Sequence, residues 1–300
     1  MTPEPIPLTE HFTHRSDAYE YSISWTSLGP DSGPPVVFVH GTPWSSIVWE
    51  AYAKALSLHY KVYLFDRPGF GLSPDRKRLA PTDTETDLDG SLTGQAEAFA
   101  ALYRSWNFKP DHVPHIIAHD NAGLMTLRAN ILYGCQYASL CLIDVVAVGP
   151  FGCPFFRLVA ENKSVFSSIP DTIFQGIVLG YIKDASFKPL PGNMIDRLLE
   201  PWTAGGSQGQ EAFIRQLLQA DQRYAEDVEG RYAEVGKAIP VKVIWGKEDR
   251  WIPSDYAVKL GKLIGAREVI LVEEAGHLIM FDQPERLAME LGSWLTKVAL

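Results

Sequence analysis

The stretch Ala118-His119-Asp120-Asn121-Ala122-Gly123 joins the apolar run at residues 115–117 to a segment of helical character that starts at Leu124. A strand that turns into a helix through small residues forms a nucleophile elbow, which lifts one side chain above the sheet. Here the lifted side chain is that of Asp120, where a serine would be expected. The stretch therefore predicts an α/β fold with a reactive carboxylate at the end of a strand.

A carboxylate in this position suits a different reaction from a serine hydroxyl. Serine adds to a carbonyl carbon and leaves again, whereas a carboxylate that attacks an acyl carbon forms only a reactive anhydride. Attack on a saturated carbon displaces a halide or opens an epoxide, and it leaves an ordinary ester. We therefore expect Asp120 to react at saturated carbon.

Short apolar runs alternate with helical patterns along the chain, which is typical of a mostly parallel sheet with helices on both faces. The predicted strands of this sheet cover residues 35–39, 60–65, 112–118, 137–146, 241–245 and 268–272. Residues 19–25 alternate in polarity and predict an antiparallel edge strand. The predicted helices cover residues 89–106, the segment from the elbow to Gly134, 254–264 and 284–297.

The alternation fails between the strand at residues 137–146 and Pro240. The interval carries Phe and Leu at helical spacing, broken by prolines and by Gly205-Gly206, and we interpret it as a helical cap inserted over the sheet. The predicted domains are a first part of the core at residues 1–148, the cap at 149–237 and a second part of the core at 238–300.

Composition restricts the class of protein and its partners. With 300 residues, 46% hydrophobic and 21% charged, the chain can bury a full core and is not disordered. Its net charge of -9 disfavours nucleic acid and anionic membranes as partners, because both bind basic patches. We expect no nucleic-acid or membrane partner, and the sequence carries no signal of oligomeric state.

Three cysteines, Cys135, Cys141 and Cys153, imply no disulfide framework and are expected to be buried thiols in a reducing compartment. Residues 1–20 lack the basic start and apolar stretch of a signal peptide. No segment approaches the ~20 apolar residues of a membrane span. A cytoplasmic location is therefore predicted.

Two further candidate catalytic residues follow later strands. Asp249 comes after residues 241–245, and His277 comes after residues 268–272. Alone, each is more typical of a turn, a helix cap or a structural hydrogen bond. Together with Asp120 they give three strand ends in the order nucleophile, acid and histidine, which is the chain order of an α/β-hydrolase triad.

A candidate oxyanion hole follows the strand at residues 35–39. His40-Gly41-Thr42-Pro43 lies where a parallel sheet binds ligands, and its glycine allows main-chain N–H groups to approach closely. Alone, this tetrapeptide is more typical of a plain turn. Beside the elbow, it predicts an oxyanion hole made by the N–H groups of Thr42 and Asn121.

Together these motifs resemble the α/β-hydrolase superfamily over residues 19–295, and His119-Asp120 is similar to the epoxide hydrolases and haloalkane dehalogenases, which use an aspartate nucleophile. The resemblance implies a reaction in two steps, with no cofactor and no metal. Asp120 would displace oxygen or halide from carbon, and His277, oriented by Asp249, would activate water to hydrolyse the ester. A small apolar electrophile and water are the expected partners.

The chain departs from both families at the leaving group. Haloalkane dehalogenases commonly hold the halide with a tryptophan directly after the nucleophile and with an asparagine in the His-Gly-Asn-Pro segment, where this chain has Asn121 and Thr42. Epoxide hydrolases protonate the opening oxygen with cap tyrosines, and in the similar segment Ala212-Phe213-Ile214-Arg215 isoleucine takes the tyrosine's place. Tyr181, Tyr224 and Tyr232 lie in the predicted cap, where a single tyrosine is more typical of packing.

Other indole and aromatic groups remain as candidates for the pocket. The candidate substrate-binding residues are His40, Trp44, Phe70, Tyr181 and Trp202. Asp144 is an alternative triad acid, because some haloalkane dehalogenases carry the acid after the strand that follows the elbow. We prefer Asp249, which matches the more general position.

Three functions are consistent with this pattern. Epoxide hydrolysis leads, because the usual halide donors are missing. A haloalkane dehalogenase with an atypical halide site is the alternative. A non-catalytic, ligand-binding homologue is a third hypothesis, which the presence of all three triad candidates argues against.

Overall fold

The described residues, 5–79, 91–149, 153–218 and 221–298 of a computed structural model, contain one nine-stranded sheet. Its strands are β1 Glu10–Arg15, β2 Tyr19–Leu28, β3 Pro35–Val39, β4 Lys61–Phe65, β5 Lys77–Arg78, β6 His115–His119, β7 Ser139–Ile143, β8 Val241–Gly246 and β9 Glu268–Val272. The spatial order is β1-β2-β4-β3-β6-β7-β8-β9, with the short β5 paired to β2. The strands from β4 to β9 along this order are parallel, whereas β2 is antiparallel to both β1 and β4.

The central strands are continuous apolar runs because both faces of the sheet are covered. In β3, Val36 and Phe38 pack into the core on one face, and Val37 and Val39 pack into the core on the other. A strand buried on both faces needs no polar alternation, which explains why these runs were predicted as strands of a parallel sheet.

The helices of the described chain are α1 Glu50–Leu56, α2 Leu92–Ser105, α3 Asn121–Tyr133, α4 Pro154–Glu161, α5 Lys163–Ser167, α6 Asp171–Asp184, α7 Met194–Thr203, α8 Ser207–Leu218, α9 Arg223–Glu229, α10 Tyr232–Ala238, α11 Asp255–Ile264, α12 Ile279–Asp282 and α13 Pro284–Val298. Ser91 caps α2 by accepting a hydrogen bond from the N–H of Gly94. Gly134, with φ of 71°, ends α3 in the left-handed conformation that glycine adopts easily. None of the described helices has the length and apolar character of a membrane span.

Helices α4–α10 lie between β7 and β8, in the interval where the alternation fails. Helices α4–α8 pack on one another, whereas α9 packs on α3, and α10 packs on both α3 and α11. We therefore propose that the cap consists of α4–α8 and that α9 and α10 belong to the core, which narrows the predicted cap at 149–237.

The main difference from the predicted fold lies at the sheet edge. Residues 19–25 do form an antiparallel strand, but the prediction that it is an edge strand is wrong. In the described chain, β1 occupies the edge and pairs with one side of β2, while β4 pairs with the other side. No apolar pattern marks β1, because its side chains are exposed or only partly buried.

Candidate active site

Asp120 lies at a strained turn between β6 and α3, as expected for an elbow. Its φ of 54° and ψ of -132° are costly for a residue with a side chain, by about 1–3 kcal/mol. Two glycines make room for the turn. A Cβ at Gly41 would lie 2.4 Å from Cβ of Asp120, and a Cβ at Gly123 would lie 2.5 Å from Val145. The backbone therefore fixes the place of the side chain at position 120.

Asp120, His277 and Asp249 lie together beyond the strand ends. Nε2 of His277 is 3.8 Å from Oδ1 of Asp120, and Nδ1 is 2.8 Å from Oδ2 of Asp249. The other oxygen of Asp249 accepts hydrogen bonds from the N–H groups of Trp251 and Ile252 at 2.8 and 3.0 Å. The carboxylate of Asp249 accepts a hydrogen bond from Nδ1–H of His277, and Nε2 of His277 has no hydrogen-bond partner among the described residues. The free nitrogen is therefore placed to take a proton from water.

Burial and neighbouring charge set the protonation of this pair. Burial raises the pKa of Asp120, against the lowering influence of His277, of the Thr42 and Asn121 N–H groups and of Arg67. Burial alone would lower the pKa of His277, but Asp249 and Asp120 outweigh it and raise that pKa above its usual value. His277 therefore loses its proton at a higher pH than an ordinary histidine.

Both N–H groups of the predicted oxyanion hole meet the nucleophile. The N–H of Thr42 donates to Oδ2 of Asp120 at 2.6 Å, and the N–H of Asn121 also bonds this carboxylate. Donors that hold a carboxylate oxygen in the resting state can hold the same oxygen when its carbon becomes tetrahedral. Their positions thus fit the hydrolysis of an ester formed on Asp120.

Arg67 contacts the segment around Thr42 and was not predicted as a site residue from the sequence. Its side chain is 1% exposed and forms no ion pair with any described residue. Nη2 donates to Oγ1 of Thr42 at 2.9 Å, and the guanidinium lies 4.3 Å from the ring centre of Phe70. The signal that could have found it is the segment Asp66-Arg67-Pro68-Gly69-Phe70-Gly71, which directly follows the parallel strand β4.

Asp144 occupies a different position from Asp249. Its Oδ1 accepts from the N–H of Gly246 at 2.7 Å, and its Oδ2 is buried without a partner among the described residues. Burial first, and then the nearby charge of Asp249, raise the pKa of Asp144 well above its usual range. Its hydrogen bond goes to the backbone of β8, so the geometry favours Asp249 as the acid that orients His277.

Two of the predicted substrate-binding side chains already have hydrogen-bond partners for their polar atoms. Nδ1 of His40 bonds the carbonyl of Gly41, and its Nε2 accepts from the N–H of Arg67, both at 2.9 Å. The indole N–H of Trp202 donates to the carbonyl of Pro43 at 3.1 Å. Neither residue has a free polar atom to offer a substrate.

Trp44, Phe70 and Tyr181 remain as candidates. The indole N–H of Trp44 is buried without a hydrogen-bond partner among the described residues, and the hydroxyl of Tyr181 is buried beside the thiol of Cys153. Tyr181 stacks on Trp251 with ring centres 4.0 Å apart. Burial, and then the neighbouring Cys153 and Asp120, raise the pKa of Tyr181 well above its usual range. Tyr181 is thus a proton-bearing hydroxyl of the cap within the electrostatic reach of Asp120.

Trp251 was not predicted, although it follows Asp249 by only two residues. Its ring lies between those of Trp44 and Tyr181, at 5.8 and 4.0 Å, and 4.8 Å from that of His277. Trp251 therefore connects helix α6, which carries Tyr181, to His277. Only the structure reveals this role, because ring stacking depends on side-chain direction.

A cavity of about 20 Å³ lies directly over the nucleophile, and it is lined by Asp120, Asn121, Val146, Cys153, Phe156, Trp251 and Ile252. Cys135 and Cys141 are buried as predicted, but Cys153 is only partly buried, because it lines this cavity at the start of α4. Within the described segments, no three His, Cys, Asp or Glu side chains form a group that could hold a metal ion.

The fold is that of an α/β hydrolase, and the comparison with known families agrees. The chain belongs to the alpha/beta hydrolase family, whose sequence model matches residues 36–290. It is 44% identical over 279 residues to the pimeloyl-[acyl-carrier protein] methyl ester esterase of Aeromonas salmonicida, covering 88% of this chain and 96% of that protein.

Solved structures show the same fold. An alpha/beta hydrolase fold protein from Burkholderia ambifaria is 35% identical and superposes with a TM-score of 0.81, covering 95% of this chain and 97% of that one. A thermophilic esterase from Thermogutta terrifontis is 19% identical with a TM-score of 0.71, covering 97% of this chain and 99% of that one. The likeness to the second structure concerns the fold alone.

Proposed function

We propose that this hydrolase opens epoxides through a covalent ester on Asp120. The observation that carries the proposal is a carboxylate at the elbow, held by the N–H of Thr42 at 2.6 Å and placed 3.8 Å from Nε2 of His277. A carboxylate reacts usefully at saturated carbon, because the product is an ordinary ester that water and a base can hydrolyse.

In the first step, a carboxylate oxygen of Asp120 attacks a ring carbon of the epoxide. A carbon–oxygen bond forms to Asp120 while the bond from that carbon to the ring oxygen breaks. The electron pair stays on the ring oxygen, which takes a proton from the hydroxyl of Tyr181. The burial of that hydroxyl and its raised pKa support this role, because they keep its proton in place until a ring oxygen arrives.

In the second step, Nε2 of His277 takes a proton from water, and the resulting hydroxide adds to the carbonyl carbon of the ester. The negative oxygen is held by the N–H groups of Thr42 and Asn121. Collapse breaks the bond between that carbon and the ester oxygen, which came from Asp120 and leaves with the diol, while the oxygen of water takes its place in the carboxylate of Asp120. The proton on His277 goes back to the departing alkoxide, and the proton of the re-formed carboxyl group returns to Tyr181.

Two other hydrolases have a specific observation in their favour. The buried, unpartnered indole N–H of Trp44 favours a haloalkane, because it is a donor for a halide. The similarity of this chain to a methyl ester esterase favours an ester as the substrate. Attack of Asp120 on an ester would pass through an anhydride, and a non-catalytic homologue would form no covalent bond to any of these compounds.

Mass spectrometry of the H277Q variant tests the proposal. Without a base for the second step, an epoxide should leave its whole mass on Asp120, whereas a haloalkane would leave its mass less hydrogen halide and an ester only its acyl part. The control is the double variant D120N/H277Q, which should carry no added mass. Labelling by haloalkanes or esters but not by epoxides would reassign the substrate, and the absence of any adduct would favour the non-catalytic reading.

A further inference from the structure

A second, larger cavity opens beside the one over Asp120. It has a volume of about 310 Å³, which is in the range of small-molecule sites. It is lined by the residues around the start of α4 and by the loop before α11: Val146, Val148, Cys153, Pro154, Arg157, Arg250, Trp251, Ile252, Pro253 and Tyr256. We call it the outer cavity.

The outer cavity adjoins the cavity over Asp120. Val146, Cys153, Trp251 and Ile252 line both the outer cavity and the cavity over Asp120. These four shared residues form a neck, and three of them are hydrocarbon or indole. A molecule that lies in both cavities therefore passes an apolar segment through the neck.

The charge of the outer cavity differs from that of the whole protein. The chain has a net charge of -9, yet the only charged side chains among the described residues that line this cavity are Arg157 and Arg250. Arg250 is partly neutralised by Asp184, whose Oδ1 is 3.2 Å from Nη1 of Arg250. Arg157 forms no ion pair with a described residue, so its charge is available to a ligand.

We propose that Arg157, assisted by Arg250, binds an anionic group at the far end of the substrate. The substrate class is then an epoxide joined through a short apolar segment to a carboxylate, which guanidinium groups bind through paired hydrogen bonds. This proposal rests on the proposed function, because it assumes that the reacting carbon lies over Asp120. It assigns a separate site for recognition, outside the neck.

A matched pair of substrates tests the assignment. The pair consists of a terminal epoxide of hexane and the same epoxide with a carboxylate in place of the far methyl group. We expect a higher kcat/KM for the anionic compound, and a ratio of the two values that falls about threefold to tenfold in R157Q. The ion pair between Arg157 and the carboxylate would be exposed to water, which keeps its contribution small. Salt screens such a pair, so the ratio of the two kcat/KM values should also decrease with added salt.

The matched control is R15Q, which removes an exposed, ion-paired arginine from the sheet edge and should leave the ratio as in the wild type. Equal kcat/KM for the two epoxides, or a ratio that R157Q does not change, would overturn the anion site while leaving the proposed function intact. If neither epoxide reacts, binding of hexanoate to D120N, followed by tryptophan fluorescence, decides the anion site alone. Binding that R157Q/D120N does not weaken would refute it.

Discussion

Nδ1 of His277 lies 2.8 Å from Oδ2 of Asp249, so one carboxylate both accepts the hydrogen bond from the ring N–H and fixes the direction of the ring. Replacing Asp249 with asparagine puts an amide opposite that nitrogen and favours the wrong tautomer. We expect kcat to fall by about 10⁴ in D249N, the loss known for the same change in a Ser-His-Asp triad. Steady-state kinetics on an epoxide would measure it.

The comparison variant for that experiment is D144N. Its amide oxygen can still accept from the N–H of Gly246, and asparagine tolerates the φ of 45° found at this position. Its turnover should therefore stay close to the wild type. A large loss in D144N with little loss in D249N would move the acid to Asp144.

The stability of the protein should depend on pH through Asp144. Because burial raises its pKa in the folded state, its contribution to stability is fully present below the unfolded pKa near 3.9 and is lost as pH rises towards the folded value. D144N has no such loss. Between about pH 4 and about pH 7, the free energy of unfolding of D144N should rise by about 1 kcal/mol or more relative to that of the wild type.

Thermal unfolding of the two proteins across this pH range measures that difference. A gap between the two melting temperatures that stays constant with pH would show that Asp144 titrates normally.

Tyr181 separates epoxide opening from dehalogenation. In Y181F the ring can keep its stacking on Trp251, but the proton for the opening oxygen is gone. We expect the rate of adduct formation with an epoxide to fall by about 10²–10⁴, the usual contribution of a general acid. Adduct formation with a haloalkane should change little, because a halide leaves without a proton.

The control for this experiment is Y224F, which removes a tyrosine hydroxyl outside helices α4–α8. Equal rates with an epoxide in Y181F and the wild type would remove Tyr181 from the mechanism.

The pH dependence of the second step should reflect His277. Neutral imidazole is the base, so the rate of ester hydrolysis should rise with pH through the pKa of His277. In the ester intermediate Asp120 carries no charge, so this midpoint should lie below the pKa of His277 in the free enzyme, where Asp249 and Asp120 together raise it. The first step should instead fall at low pH, with a midpoint above the usual aspartate value near 3.9, because burial raises the pKa of Asp120.

Single-turnover measurements resolve the two steps. A hydrolysis midpoint equal to the pKa of His277 in the free enzyme would show that Asp120 does not control this pKa, and the same midpoint in D249N as in the wild type would show that Asp249 does not.

Much of the site could be predicted because local sequence dictates it. A strand that enters a helix through small residues fixes Asp120, and the ends of parallel strands bring Asp249 and His277 to the same edge. The sequence could not decide as firmly between Asp249 and Asp144 as the triad acid. Both residues follow neighbouring strands, and only the direction of their side chains distinguishes them.

The remaining differences have the same physical origin. The sequence offered Trp202 as an indole donor for a substrate, but in the structure its N–H donates to the carbonyl of Pro43. Strand β1 was not predicted because it lies at the edge of the sheet, where its side chains are exposed or only partly buried and so show no apolar pattern.

The tight packing of Gly41 and Gly123 around the elbow has an evolutionary consequence. The shortest contact at Gly41 is with Cβ of Asp120, an atom that serine or cysteine also carries, so the room that Gly41 leaves for the turn would serve those nucleophiles as well. A lineage can therefore exchange one nucleophile for another without redesigning its scaffold. In such a family, overall sequence identity records descent, while a single side chain records the reaction.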